Sequence, residues 1–356
     1  GTVLPEDTVP YSGLEVHYHM INVEVNMKHN VDVNFTPGIH TTMADVSTNI
    51  DSYYPTLAQA YSEGWRLTSF YRVPGAKQQA FMSTAVNIPF QGIFTKFPTA
   101  PTSSESWQLK VEKSIMLVER VRKRISKRIH TFQTDVDTGD IFTKITQNTE
   151  TGGQLICVEI TGQLNSQGTN TSLGRTGVLS AGMGVDLFFD IPTHPNPRRF
   201  IYQTVNVPIE ESVLPPRLGS IPKHTFSCDW LGQMTSFLQH DWRLVEIFLD
   251  MSSAPRDQSL EAKVNSVWFF EKEASRVNDP SPVYEGTVIE YEHKLSAGLT
   301  SISVPPQLES LLCEMGKRGW ELACILETPD IRITGLQQFK MKLLMFFQRK
   351  LSGMSY

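Results

Sequence analysis

Lys317-Arg318-Gly319-Trp320-Glu321-Leu322 is the last and clearest of three copies of one phrase. The others are Ser62-Glu63-Gly64-Trp65-Arg66-Leu67 and Gln239-His240-Asp241-Trp242-Arg243-Leu244. Each has an apolar residue eight positions before its Trp (Leu57, Met234, Leu312) and a strand-like run after its Leu. A fainter copy lies at Gly152-Gly153-Gln154-Leu155, with Ile145 eight residues before Gly153. Successive copies are 88, 89 and 78 residues apart. A near-constant period of this size sets the architecture before any local reading. It predicts about four copies of a small unit, each with a helix closing on a turn and passing into a strand.

The Gly before the Trp suits a left-handed helix C-terminus, and Asp241 tolerates that conformation better than most residues. The Trp stands where helix meets strand, where its ring can fix the angle between them. Trp65, Trp242, Trp320 and the following Leu67, Leu244 and Leu322 are therefore expected to be buried structural residues.

Working outward, period-two alternation marks a strand over 14–25. A helical stripe follows at Val46, Ile50, Tyr53, Tyr54, Leu57 and Tyr61. Strands are expected over 65–73 and 81–94. In the second unit, 107–121 reads either as a long strand or as a strand running into a basic helix. A helix over 137–153 and a strand over 154–161 complete it. Residues 163–184, rich in Gly, Ser, Asn and Thr, read as a flexible linker between halves 1–162 and 185–356. The third unit offers strands over 185–191 and 200–207, a helix over 229–240 and a strand over 264–271. The fourth offers a strand over 286–293, a helix over 306–318 opened by Pro305-Pro306, and strands over 320–327 and 338–349. The fold class so predicted is α+β: tandem β-α-β-β repeats with antiparallel sheets covered by helices, arranged as two halves.

Of the 356 residues, 40% are hydrophobic and 19% charged, as in ordinary globular proteins. The net charge of −5 argues against a generally nucleic-acid-binding chain. Cys157, Cys228, Cys313 and Cys324 form no C-x-x-C pair and read as thiols of a reducing compartment. They lack a local basic context and read as small hydrophobes. No apolar run approaches membrane-spanning length. Gly1 invites a myristoylation reading, although Pro5 stands where that motif wants Ser or Thr.

The sharpest charge feature is Arg120, Arg122, Lys123, Arg124, Lys127 and Arg128, with Val121, Ile125 and Ile129 interleaved. It is a candidate surface for anionic lipid or another phosphate, the competing reading being a solvated face. His17 and His19 share a strand face, but no Cys lies near them and no metal site is assigned. No nucleophile elbow or phosphate loop appears. No catalytic residue and no cofactor is assigned.

The sequence resembles the raftlin family over residues 220–350. The resemblance is carried by Cys228-Asp229-Trp230-Leu231 through Trp242-Arg243-Leu244, by Val267-Trp268-Phe269-Phe270-Glu271, and by Tyr284-Glu285-Gly286-Thr287-Val288-Ile289-Glu290. It is strongest at Gly319-Trp320-Glu321-Leu322-Ala323-Cys324-Ile325-Leu326-Glu327-Thr328-Pro329 and Phe346-Phe347-Gln348-Arg349. It implies a non-enzymatic, membrane-associated scaffold or adaptor acting in trafficking, receptor uptake or signalling. The implied location is cytoplasmic, peripheral to the plasma or endosomal membrane. The implied partners are proteins at that membrane and anionic lipids, with nucleic acid the weaker candidate. The family's acylated Gly with an adjacent Cys is matched here only by Gly1. The alternatives are a module binding a lipid or other small ligand between helix and sheet, and an enzyme.

Overall fold

The computed structural model describes residues 4–36, 39–73, 85–98, 106–124, 130–169, 178–214, 223–250, 261–296, 307–336 and 338–353. The first unit runs β1 (His17–Thr36), β2 (Ile39–Thr48), α1 (Tyr54–Ser62), β3 (Arg66–Arg72) and β4 (Ala85–Lys96). The second is β5 (Trp107–Arg124), β6 (His130–Asp137), α2 (Gly139–Thr149), β7 (Gln154–Thr169) and β8 (Val178–Pro192). The third is β9 (Phe200–Leu214), β10 (Lys223–Ser227), α3 (Trp230–Leu238), β11 (Arg243–Asp250) and β12 (Glu261–Glu273). The fourth is β13 (Tyr284–Ser296), α4 (Gln307–Lys317), β14 (Glu321–Gly335) and β15 (Gln338–Lys350).

Each unit forms its own antiparallel sheet, in the orders β2-β1-β4-β3, β6-β5-β8-β7, β10-β9-β12-β11 and β13-β15-β14. The expected α+β class of β-α-β-β repeats is overturned. The described chain is mostly β, with fifteen strands of up to 20 residues against four α-helices of 9 to 11. Three units carry a hairpin strand ahead of the helix, β2, β6 and β10, which the sequence pattern had not shown, and Val46, read on the first helix, lies in β2. The alternative of a basic helix after 107–121 also fails, because Leu117–Arg124 pair with β6. The expected linker 163–184 is misplaced as well. Residues 163–169 and 178–184 are strand, paired within one sheet inside the second unit. Residues 185–191 belong to β8 of that unit, and the third begins at Phe200.

The four units close into a ring. Each hydrophobic core draws on two successive units: first with second, second with third, third with fourth, and fourth with first. The last strand of each unit shows how. Ile93 and Phe94, Phe188 and Phe189, Phe269 and Phe270, and Phe346 and Phe347 are all fully buried neighbours. Successive strand residues point to opposite faces, so the two members of each pair enter two different cores. A sheet covered on both faces needs such a continuous apolar run instead of alternation. The helices lie in the seams: α1 contacts β5, α3 contacts β13, and α4 contacts β1.

Ring closure is local and specific. The Val16 N–H donates to the Gly316 carbonyl at 2.9 Å, joining the entry to β1 with α4. A methyl carbon on Gly316 would sit 2.1 Å from the Val16 carbonyl oxygen, so this helix position admits only Gly. Arg349 pairs with Asp7 at 2.7 Å and lies 4.1 Å from the Tyr11 ring centre and 4.0 Å from that of Trp320.

Candidate functional site

The site is built at the start of the strand that follows the helix in each unit. The residues before it (Gly64, Gly152, Asp241 and Gly319) all have positive φ. Asp241, the single non-glycine described with positive φ, is also held by Arg276 Nε at 2.5 Å. Two residues on come Arg66, Gln154, Arg243 and Glu321. After the following Leu, each strand carries a bulge, at Thr68, Ile156, Val245 and Ala323. A bulge inserts one extra residue and re-aims the chain. The same bulge four times brings four strand starts to a common axis, where β3, β7, β11 and β14 contact one another in turn.

The bulge leaves a backbone N–H without its ladder partner, and a side chain satisfies it in every unit. Leu67 donates to the Tyr61 hydroxyl at 2.9 Å, and Leu155 to the Tyr202 hydroxyl at 2.8 Å. Leu244 donates to Gln348 Oε1 at 3.0 Å, and Leu322 to the Tyr18 hydroxyl at 2.9 Å. In three cases the acceptor comes from the next unit. In the first unit, Tyr61 instead passes its own proton across the seam to Asp190. Tyr202 likewise donates to Glu271 at 2.6 Å. Burial and the adjacent carboxylate push both phenols well above the usual tyrosine range.

Around the axis a polar ring results. Arg66 binds Asp190 at 2.7 Å, Gln154 donates to Glu271 at 2.9 Å, and Arg243 reaches Glu321 at 3.4 Å and Glu271 at 3.8 Å. Burial pulls the Asp190 and Glu271 carboxyls upward, opposed by Arg66 and Arg243 respectively. Glu246, 6% exposed, faces the Cys157 thiol at 3.6 Å. Burial raises its carboxyl to about 8. The thiols of Cys157 and Cys324 are pushed well above the ordinary cysteine range by burial and then by Glu246, which fits buried small hydrophobes. Cys313, also read as a small hydrophobe, is exposed.

Above the ring opens an axial cleft of 520 Å³, lined by residues from all four units. Its wall includes the four bulge residues and the cations Arg66, Lys96, Arg198, Arg243 and Lys350, against the carboxylates of Asp190 and Glu321. Aromatic rings back the cations. Arg66 lies 4.0 Å from the Trp107 ring centre, Lys96 4.6 Å from that of Trp65, and Arg243 5.8 Å from that of Tyr284.

Leu67, Leu244, Leu322 and Trp320 are buried, whereas Trp65 and Trp242 are half-buried. The exposed face of these two Trp residues carries a cation, Lys96 or Lys272. The second unit, lacking the Trp, has Ile191 against Gly153 instead. His19 packs its ring 5.3 Å from that of Trp65, while His17 is exposed. Of the basic run, Arg120, Arg122, Lys123 and Arg124 lie on β5, paired in register with Thr134, Phe132, Thr131 and His130. Lys127, Arg128 and Gly1 lie outside the described residues. No helix among the described residues is long and apolar enough to cross a membrane.

Sequence reasoning missed the cleft. Arg66, Arg243 and Glu321 stand directly after a Trp and Gln154 after the equivalent Gly153, inside the repeated phrase, and Asp190, Glu271 and Gln348 directly follow the paired aromatics. That coincidence of polar residues at repeat-equivalent positions was the available signal.

The raftlin family model matches residues 98–355, which takes in three of the four units. The chain belongs to the raftlin family. It is 26% identical to raftlin of Gallus gallus over 148 residues, 42% of this chain and 23% of that protein. It is 25% identical to raftlin of Mus musculus over 178 residues, 50% of this chain and 30% of that protein. The matches thus span less than a third of these relatives' length. No solved structure matches the chain.

Proposed function

We propose that this raftlin-family protein is a non-enzymatic scaffold or adaptor peripheral to a cytoplasmic membrane face, serving trafficking, receptor uptake or signalling. Family membership is the observation that carries the reading. Two features of the chain support it. The polar groups around the axis spend their hydrogen bonds holding one unit to the next, as befits a rigid platform. The basic run lies on β5, where Arg120, Arg122, Lys123 and Arg124 pair with β6. Cations gathered in this way suit anionic headgroups, at about 1 kcal/mol per cation near the surface.

Flotation with phosphatidylserine vesicles at low and high salt tests the membrane contact. Binding is expected to weaken with salt, because exposed charges are screened over about 8–10 Å at physiological ionic strength. Changing Arg122, Lys123, Arg124 and Lys127 together to Glu is expected to abolish binding with the melting temperature unchanged. Salt-independent binding, or binding that survives the reversal, overturns the assignment.

A further inference from the structure

His293 is the one ionisable residue at its place in the repeat. Six residues before the second aromatic of each pair stand Ile88, Met183, Val264 and Met341. Their partners on the first strand of each unit are Val25, Met116, Ile209 and His293. Val25, Met116 and Ile209 are fully buried, and His293 is 2% exposed. Residues paired across antiparallel strands share a face, and so do residues two apart on one strand. His293 therefore lies with Met341 and Tyr291 in the core shared by the fourth and first units, the seam that closes the ring. Neither of its ring nitrogens has a hydrogen-bond partner, and neither has the Tyr291 hydroxyl, whose ring centre is 6.3 Å away. Burying an unpaired imidazole costs stability that the aliphatic side chains of the other three units do not.

We infer that His293 makes the closing seam sensitive to mild acid, so that protonating its imidazole loosens the fourth unit from the first while the other seams hold. Among the described residues no carboxylate is placed to hold that proton. On β15, Lys340 and Lys342 point to the opposite face, where they pair with Glu292 and Glu290. From β14 come Glu327, in the row of Tyr291 and countered by Arg72 of β3, and Asp330, with Arg332 at 3.7 Å. Across the seam stand Tyr71 of β3 and Tyr18 of β1. Burial pulls the His293 imidazole below its ordinary value, and no described charge contributes. The opened seam accepts a proton near the ordinary histidine value, whereas the closed seam resists it. Opening is therefore favoured as pH falls below about 6.5, by up to about tenfold per pH unit for one proton. Glu246, Asp190 and Glu271 act with the opposite sign, because the closed ring holds their protons, so the loosening is read as a difference between seams.

Hydrogen exchange of the Leu322 and Leu155 amides in the whole chain, each corrected for its intrinsic rate at the pH used, tests the seam. Leu322 donates to Tyr18 across the closing seam, and Leu155 to Tyr202 across the seam of the second and third units. Between about pH 7.5 and about pH 5.5, the protection of Leu322 is expected to fall several-fold relative to that of Leu155. His293→Met installs the side chain that the second unit has at this place, and is expected to abolish the fall. Met116→His, made in the parent, is expected to add a fall of the same sign at Leu155, because Met116 lies in the core of that seam. The inference is overturned by an unchanged ratio of the two protections in the parent, or by the parent's fall persisting in His293→Met. Where His293→Met does not fold, the absence of a fall at Leu155 in Met116→His overturns it.

Discussion

Replacing Glu246 by Gln is expected to change how the protein's stability depends on pH. The carboxyl is 6% exposed. Its Oε1 accepts the Ile247 N–H at 3.2 Å and its Oε2 faces the Cys157 thiol at 3.6 Å. Burial moves it from an ordinary 4.5 to about 8. The folded protein therefore keeps a proton that the unfolded chain has released over that interval. Because the folded state binds more protons there, stability falls as pH rises from about 4.5 to about 8 and levels off above. At about 1.36 kcal/mol per pH unit, the loss amounts to about 3 kcal/mol at pH 7 and approaches about 5 kcal/mol in the plateau. Gln cannot ionise, so Glu246→Gln removes this slope while keeping the shape. Urea unfolding followed by tryptophan fluorescence, at about pH 5 and about pH 8.5, measures the effect. The advantage of the variant should grow by about 4 kcal/mol between the two. Contributions from Asp190 and Glu271, also raised by burial, are common to both proteins and cancel. Glu159 is raised by burial and then by the Glu246 charge, so the variant relieves it and the advantage grows in the same direction. A stability difference that is the same at both pH values would refute the reasoning, since it would mean that Glu246 titrates normally in the folded ring.

Three further outcomes follow from the ring. Tyr18→Phe removes the hydroxyl that accepts the Leu322 N–H and donates to the Trp320 carbonyl at 2.5 Å, and urea unfolding should show a loss of about 1–3 kcal/mol. Gly316→Ala forces a methyl against the Val16 carbonyl, and should cost about 1–3 kcal/mol and raise amide exchange at the entry to β1. Trp320→Ala, at a 4% exposed position, should cost about 3–5 kcal/mol, while half-buried Trp242→Ala should cost clearly less; equal losses would contradict the burial difference.

The repeat was legible because it is written in residues that the backbone itself requires. Gly64, Gly152, Asp241 and Gly319 all take the positive φ that the turn demands, and the Leu that follows each is buried in a core. The hairpin strands were not legible. Most of β1 beyond Met27 pairs with β2, in a stretch whose Asn, Thr and His content is typical of loops. Nor was closure. Tyr18, Tyr61, Tyr202 and Gln348 perform one task from positions with no common spacing in the chain, so no period reveals them.

The distinction between these two kinds of residue also bears on where function resides. Positions fixed by the repeat, such as the bulge residues Thr68, Ile156, Val245 and Ala323, build an axis with the same geometry four times. Around that axis the side chains are not four-fold. Arg66, Gln154, Arg243 and Glu321 differ in charge, as do Asp190, Glu271 and Gln348 in the strands behind them. A purely structural ring could repeat one complementary pair at each seam. Here the seams instead use an arginine–aspartate pair, an amide–carboxyl bond and an amide–backbone clasp. On one side, where the axial cleft meets a second cavity between the third and fourth units, Arg198 and Arg243 are matched by Glu273, Glu271 and Glu321. A repeated scaffold with unlike seams thus specifies which unit packs against which, because a wrong pairing would leave buried charges unmatched.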